Sequence, residues 1–218
     1  MKNRILTLAL RWLAALLYAG GFPIVQAQET IRQYLSGRDG ENTVPWEFFC
    51  SQGRNSGFWT NIAVPSCWET QGFGTFRYGL EDRPFASIES LYRHSFMVPS
   101  DWRGRRVFLV FDGVMTDASI NINGQEAGPM HQGAFYRFKY DVTERLKFGG
   151  ENSLEVTVRD KSANASVNNA ERNADFWVFG GIFRPVWLEA PPAQFLDQVA
   201  IDARADGSFV MNYALAAC

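Results

Sequence analysis

The chain has 218 residues, 46% of them hydrophobic and 15% aromatic, enough apolar material for one well-packed domain plus a small remainder. Its 21 Lys+Arg and 23 Asp+Glu are scattered, so the basic stripe that binds nucleic acid is missing and no such partner is expected. Three cysteines show neither Cys-x-x-Cys spacing nor paired histidines, which argues against a zinc site or redox motif; no metal and no cofactor is assigned.

Residues 1–27 read as a secretory signal. Lys2 and Arg4 precede the apolar run ILTLALRWLAALLYAGGF, and Val25-Gln26-Ala27 sets small residues at the cleavage offsets. Arg11 interrupts the run, which argues against a membrane-spanning helix. Cleavage removes Lys2, Arg4 and Arg11 and no acid, leaving 18 Lys+Arg against 23 Asp+Glu. The expected product is a mildly acidic exported protein, periplasmic or extracellular, with no membrane attachment after cleavage. Export permits a Cys50–Cys67 disulfide. The other reading of that pair is two small buried hydrophobes on neighbouring strands.

From Gln28 onward the hydrophobic period is two, with short runs parted by turn residues, as in an all-β sandwich. RVFLVFDG at Arg106 to Gly113 is a nearly continuous apolar strand. In DASINING, Ala118, Ile120 and Ile122 alternate with polar residues, and Asn123-Gly124 supplies a tight hairpin turn. A helical turn is predicted at DVTERL, with Asp141 or Thr143 as cap. NSLEVTV repeats the alternation through Leu154, Val156 and Val158. Pro191-Pro192 cannot sit inside a central strand and marks a boundary. Beyond it, residues 193–218 alternate around Asp206-Gly207 like a hairpin opening a second β domain. Two strands cannot bury a core, so this tail must pack on the first domain, find a partner or stay loose.

Four segments occur in order: WETQGFG (Trp68 to Gly74), FDGVMTDASINING (Phe111 to Gly124), HQGAFYRFKYDVT (His131 to Thr143) and DFWVFGGIFRPVWL (Asp175 to Leu188). Together they resemble the N-terminal sugar-binding domain of family 2 glycoside hydrolases, which include β-galactosidases and β-glucuronidases. The resemblance implies a jelly-roll β-sandwich of the galactose-binding-domain type over residues 28–192. It further implies that residues 193–218 are the first strands of an incomplete immunoglobulin-like domain, which in the family precedes a catalytic (β/α)₈ barrel.

In family 2 enzymes the acid before the Trp and Gly-Gly segment reaches the barrel's active site and bonds hydroxyls of the terminal sugar. Asp175 matches it. A carboxylate accepts hydrogen bonds from hydroxyls, and Phe176 and Trp177 can offer apolar faces to a sugar. The competing reading is a loop aspartate paired with Arg172 or Arg184, or one closing an Asx-turn. Gly180-Gly181 lets the backbone turn where a side chain would clash. Arg184 before Pro185 suggests an edge position or bulge. His131, in the loop GPMHQG, either shapes that loop or touches ligand. The family's two catalytic glutamates lie on the barrel, and a barrel takes roughly 250 residues, so no catalytic residue is assigned here. The expectation is a sugar-binding fragment of an exported β-galactosidase-like enzyme, with a β-glycoside such as a galactoside and the enzyme's own later domains as partners. The alternative is a free-standing carbohydrate-binding module without catalytic activity.

Overall fold

A computed structural model describes residues 29–80 and 86–217, so the leader expected over residues 1–27 lies outside the described residues. Two antiparallel sheets face one another. The smaller runs β1 (Ile31–Tyr34), β13 (Val186–Ala190), β6 (Phe108–Phe111), β10 (Phe138–Asp141). The larger runs β3 (Trp59–Val64), β2 (Val44–Cys50), β5 (Glu89–Met97), β11 (Glu151–Arg159), β7 (Asp117–Ile122), β8 (Gln125–Glu126), with β9 (His131–Gln132) also on β7. A two-stranded ribbon, β4 (Arg77–Tyr78) with β12 (Trp177–Val178), is separate from both. This is the all-β sandwich that the alternation predicts.

The alternation explains which face each strand buries. Along β11, Asn152, Leu154, Val156 and Val158 point inward and their neighbours outward, because successive strand side chains leave opposite faces. Trp46, Phe48 and Tyr92 from the larger sheet meet Leu109, Phe111 and Leu188 from the smaller in one core. Each such side chain, fully buried, contributes about 1.5–3 kcal/mol, and Phe48→Ala would cost about 3–5 kcal/mol. The unbroken apolar run of β6 has a separate cause. Leu109 and Phe111 face the core, while Phe108 and Val110 join Trp187 in a second cluster on the outer face, flanked by Tyr34 and Phe195.

Turn chemistry fixes the register. Asn123 (φ 53°) and Gly124 (φ 77°) both take left-handed conformations between β7 and β8, and the Asn123 side chain donates to Asn152 Oδ1 at 2.8 Å. At DVTERL a 3₁₀ turn forms over Thr143–Arg145, with Asp141 Oδ1 accepting the Thr143 N–H at 3.1 Å. Helix α1 (Ala165–Glu171) starts at Asn164, whose side chain accepts the Ser166 N–H at 2.9 Å.

The tail is a long hairpin, β14 (Gln194–Ala203) with β15 (Phe209–Ala217), which among the described residues forms a two-stranded sheet of its own. Gly207 (φ 87°) makes its turn. Nearly all of its side chains are exposed. It touches the sandwich where Phe195 meets Phe108 edge-on at 6.3 Å and where Asp197 pairs with Lys139 at 3.5 Å.

Cys50 and Cys67 are both free thiols rather than the halves of a disulfide. Cys50 is buried on β2, and its thiol donates to Gln52 O at 3.2 Å. Cys67 lies in the connection after β3 rather than on a strand, and burial pushes its thiol up to about 11.

Candidate functional site

Asp175 lies on the segment that leaves α1 and enters the β4–β12 ribbon. Trp177 pairs with Tyr78 and Val178 with Arg77 across that ribbon. The Tyr78 hydroxyl donates to Asp175 Oδ1, while the Asp175 residue stays exposed. Neither arginine considered as its partner takes that role. Arg172 is buried and donates to Phe179 O at 2.6 Å, and Arg184 reaches Phe135 O at 3.3 Å. Asp175 is therefore held by a neutral phenol, which leaves its carboxylate as a hydrogen-bond acceptor toward solvent.

Beside it stands an aromatic wall. Trp177 keeps 54% of its surface exposed and meets Phe76 and Tyr78 edge-on, at 6.2 and 5.3 Å between centroids. Phe76 also meets Phe179 edge-on at 6.2 Å, and the Arg54 guanidinium covers Phe76 at 4.8 Å. Edge-on contacts let an aromatic group pack without hiding every ring face.

The segment is anchored from beneath by the WETQGFG stretch. Glu69 is buried, and its Oε2 accepts the Gly180 N–H at 3.0 Å, while the Trp68 N–H donates to Gly180 O at 3.1 Å. A Cβ on Gly180 would lie 2.0 Å from the Trp68 ring, so glycine is required there by the closeness of the indole. Gly181 (φ 116°) exchanges two backbone hydrogen bonds with Met115, at 2.9 and 3.1 Å. On the other flank the Gly79 N–H donates to Phe176 O at 2.9 Å.

This floor carries unusual charge. Burial pushes the Glu69 carboxyl up to about 7, and the negative Asp160 adds to the rise. Asp160 is itself buried; burial raises its pKa, while Arg77, bonded to it at 3.1 Å, opposes the rise. Asp160 also accepts from Ile88 N–H at 2.8 Å and Ser87 Oγ at 3.1 Å. Burial lowers the pKa of Arg172, an effect that Asp160 and Glu69 oppose. Two acids and two guanidinium groups thus underlie the loop in largely dry surroundings, where each charge depends on its neighbours.

His131 lies apart in role. Its ring stacks on Phe138 at 3.7 Å, and its Nε2–H donates to Gly133 O at 2.9 Å. Burial lowers its pKa, keeping the imidazole neutral at neutral pH. This geometry shapes the 131–138 loop, which is tied to the end of α1 where Glu171 Oε2 accepts the Ala134 N–H at 2.7 Å. Arg184 precedes β13, a strand lying between β1 and β6, and so stands at the mouth of an inner strand rather than on an edge. The structure thus brings Asp175, Trp177, Gly180 and Gly181 into one segment. It adds Glu69, Phe76 and Tyr78, which sequence reasoning did not single out. The alternation of Phe76 and Tyr78 on one side of FRYGL was the available signal for two of them.

The family model "Glycosyl hydrolases family 2, sugar binding domain" matches residues 41–192. A β-galactosidase from Thermoanaerobacter pseudethanolicus is 34% identical over 100 residues, covering 46% of this chain and 13% of that protein. A β-glucuronidase from Formosa agariphila is 30% identical over 159 residues, covering 66% of this chain and 16% of that protein. Among solved structures, the β-glucuronidase from Ruminococcus gnavus in complex with uronic isofagomine superposes with a TM-score of 0.65 at 19% identity, covering 89% of this chain and 34% of that one. That likeness establishes the fold. The chain spans well under a fifth of the length of the two curated relatives.

Proposed function

The chain belongs to family 2 of the glycosyl hydrolases through its sugar binding domain, and from that premise we propose that it is the N-terminal part of an exported β-galactosidase- or β-glucuronidase-like hydrolase. In this reading Asp175 accepts hydroxyls of the terminal sugar, Trp177 offers the sugar an apolar face, and the carboxylates that break the glycosidic bond come from outside residues 1–218. The β14–β15 hairpin is then the start of the immunoglobulin-like domain that precedes the barrel in the family. The observation that carries the proposal is the setting of Asp175. It is exposed yet oriented by the Tyr78 hydroxyl, on a segment anchored through Gly180 and flanked by exposed aromatic rings.

A single wall of a composite pocket binds weakly. Saturation-transfer NMR of the chain with methyl β-galactoside and methyl β-glucuronide should give dissociation constants in the millimolar range or weaker, about −4 kcal/mol. Asp175→Asn should weaken the signal further, and no chromogenic β-galactoside or β-glucuronide should be hydrolysed. Micromolar affinity for a simple sugar, or binding indifferent to Asp175→Asn, overturns the assignment. Export with cleavage after Ala27 is checked by intact mass, which should place Gln28 at the new N-terminus.

A further inference from the structure

The outer face of the larger sheet carries a second surface whose chemistry the Asp175 segment does not use. Cross-strand register sets Asn61, Glu47, Arg93, Glu155 and Asn121 in one row over β3, β2, β5, β11 and β7. The next outward row reads Trp59, Phe49, Leu91, Thr157 and Ser119 on the same five strands. One row is rich in hydrogen-bonding groups, and its neighbour starts with three large apolar side chains. Trp59 keeps 42% of its surface exposed. The Arg93 guanidinium lies 4.2 Å from its ring centroid and is fixed from the other side by Glu155 at 2.9 Å. Two shallow depressions, about 170 and 380 Å³ in volume, are lined by residues of both rows and share Arg93 and Trp59, and a third of about 280 Å³ borders the polar row on its other side, beside Pro45, Ser95 and Ser153.

We propose that this face is a second carbohydrate site, distinct from the Asp175 loop, and that it takes a neutral β-linked glycan chain lying across the strands. A pyranose has the same two-sidedness as the paired rows: C–H groups that pack on an indole or aliphatic surface, and hydroxyls that bond to amides, carboxylates and guanidinium groups. The length fits as well. Five strands at about 4.8 Å spacing span about 19 Å, room for about four pyranose rings at roughly 5 Å each. Charge selects among glycans. Glu47 and Glu155 flank a single Arg93, so the row carries one excess negative charge that repels uronate or sulfate chains. Sequence-distant strands contribute every member of the site, which is why no continuous motif marks it.

Affinity electrophoresis of the full chain tests the proposal, using gels containing hydroxyethylcellulose or β-1,4-galactan as neutral probes and carboxymethylcellulose as an anionic one. Migration should slow in at least one neutral gel and be unaffected by carboxymethylcellulose. Trp59→Ala should weaken the retardation at least five-fold. Should that variant fail to fold, Asn61→Ala with Asn121→Ala, at the two ends of the row, should weaken it comparably. Absence of retardation in both neutral gels, or stronger retardation in the anionic one, overturns the proposal. Retardation lost in Asp175→Asn but kept in Trp59→Ala also overturns it, by placing the glycan on the loop. The site does not rest on the role proposed for Asp175, so failure of either leaves the other standing.

Discussion

Glu69 and Gly180 stand 111 positions apart, and the carboxylate of one accepts the backbone N–H of the other at 3.0 Å inside the protein. That bond ties the WETQGFG stretch to the segment presenting Asp175 and Trp177. It also places a carboxyl where burial holds it at about 7 rather than the ordinary 4.5.

The stability of the chain should therefore depend on pH through Glu69. Between 4.5 and about 7 the folded chain keeps a proton that the unfolded chain has lost. The contribution is complete below the lower value and is lost as pH rises through the upper one. Over that window it amounts to on the order of 3 kcal/mol. Glu69→Gln retains an acceptor for Gly180 and cannot ionise. In urea unfolding, the variant should gain about 2–3 kcal/mol on the parent protein between pH 5 and pH 8.

Gly180→Ala probes the same junction from the other side. Its Cβ would sit 2.0 Å from the Trp68 ring, and that ring is buried at the base of the segment. Either the indole or the backbone must move, at a cost of about 3 kcal/mol or more. A urea midpoint within error of the parent would show that the loop yields more easily than this packing implies.

Much of the sandwich was legible in the sequence because strands leave a local trace. Leu154, Val156 and Val158 alternate within a few residues, and Asn123-Gly124 announces its own turn. The continuous run of β6 was legible as a strand, although the reason for its second apolar face, Trp187, comes from a strand far along the chain. Helix α1 was missed because ASVNNAE buries no residue and so shows no apolar stripe. The loop bearing Asp175 was found through its similarity to a known pattern. Its supports Glu69 and Tyr78 were not, because they reach that loop only through long-range folding, across 111 and 97 positions. The disulfide reading failed for a related reason: spacing carries no information on where Cys67 lies relative to Cys50.

The buried Arg77–Asp160 pair, 3.1 Å apart, should respond asymmetrically to mutation. Arg77→Met strands a buried carboxylate and should cost about 3–5 kcal/mol. Asp160→Asn keeps an acceptor for the Ile88 N–H and the Ser87 hydroxyl but removes the negative charge that faces the Arg77 guanidinium at 3.1 Å. Combining the two removes both charges, so the double variant should lose less than the sum of the single losses. A double-mutant cycle by urea unfolding measures the difference, and strict additivity would show that the two groups are not coupled.

The hairpin β14–β15 should behave as a weakly held appendage. Its main attachments are the edge-on contact of Phe195 with Phe108 at 6.3 Å and the Asp197–Lys139 pair at 3.5 Å. A partly buried aromatic ring contributes about 1–2 kcal/mol, and an exposed ion pair about 1 kcal/mol at most. Meanwhile Leu196, Ile201, Phe209, Met211, Tyr213 and Leu215 stay exposed, and a two-stranded sheet lacks a core to protect its amides. Hydrogen exchange should be fast in β14 beyond Leu196 and throughout β15, and slow in β5 and β11. A chain ending at Pro192 should lose no more than about 1–3 kcal/mol, the sum of those two attachments, and should aggregate less because it sheds those exposed apolar groups. Slow exchange along β15, or a loss of about 5 kcal/mol or more on removing residues 193–218, would show instead that the hairpin folds as part of the sandwich.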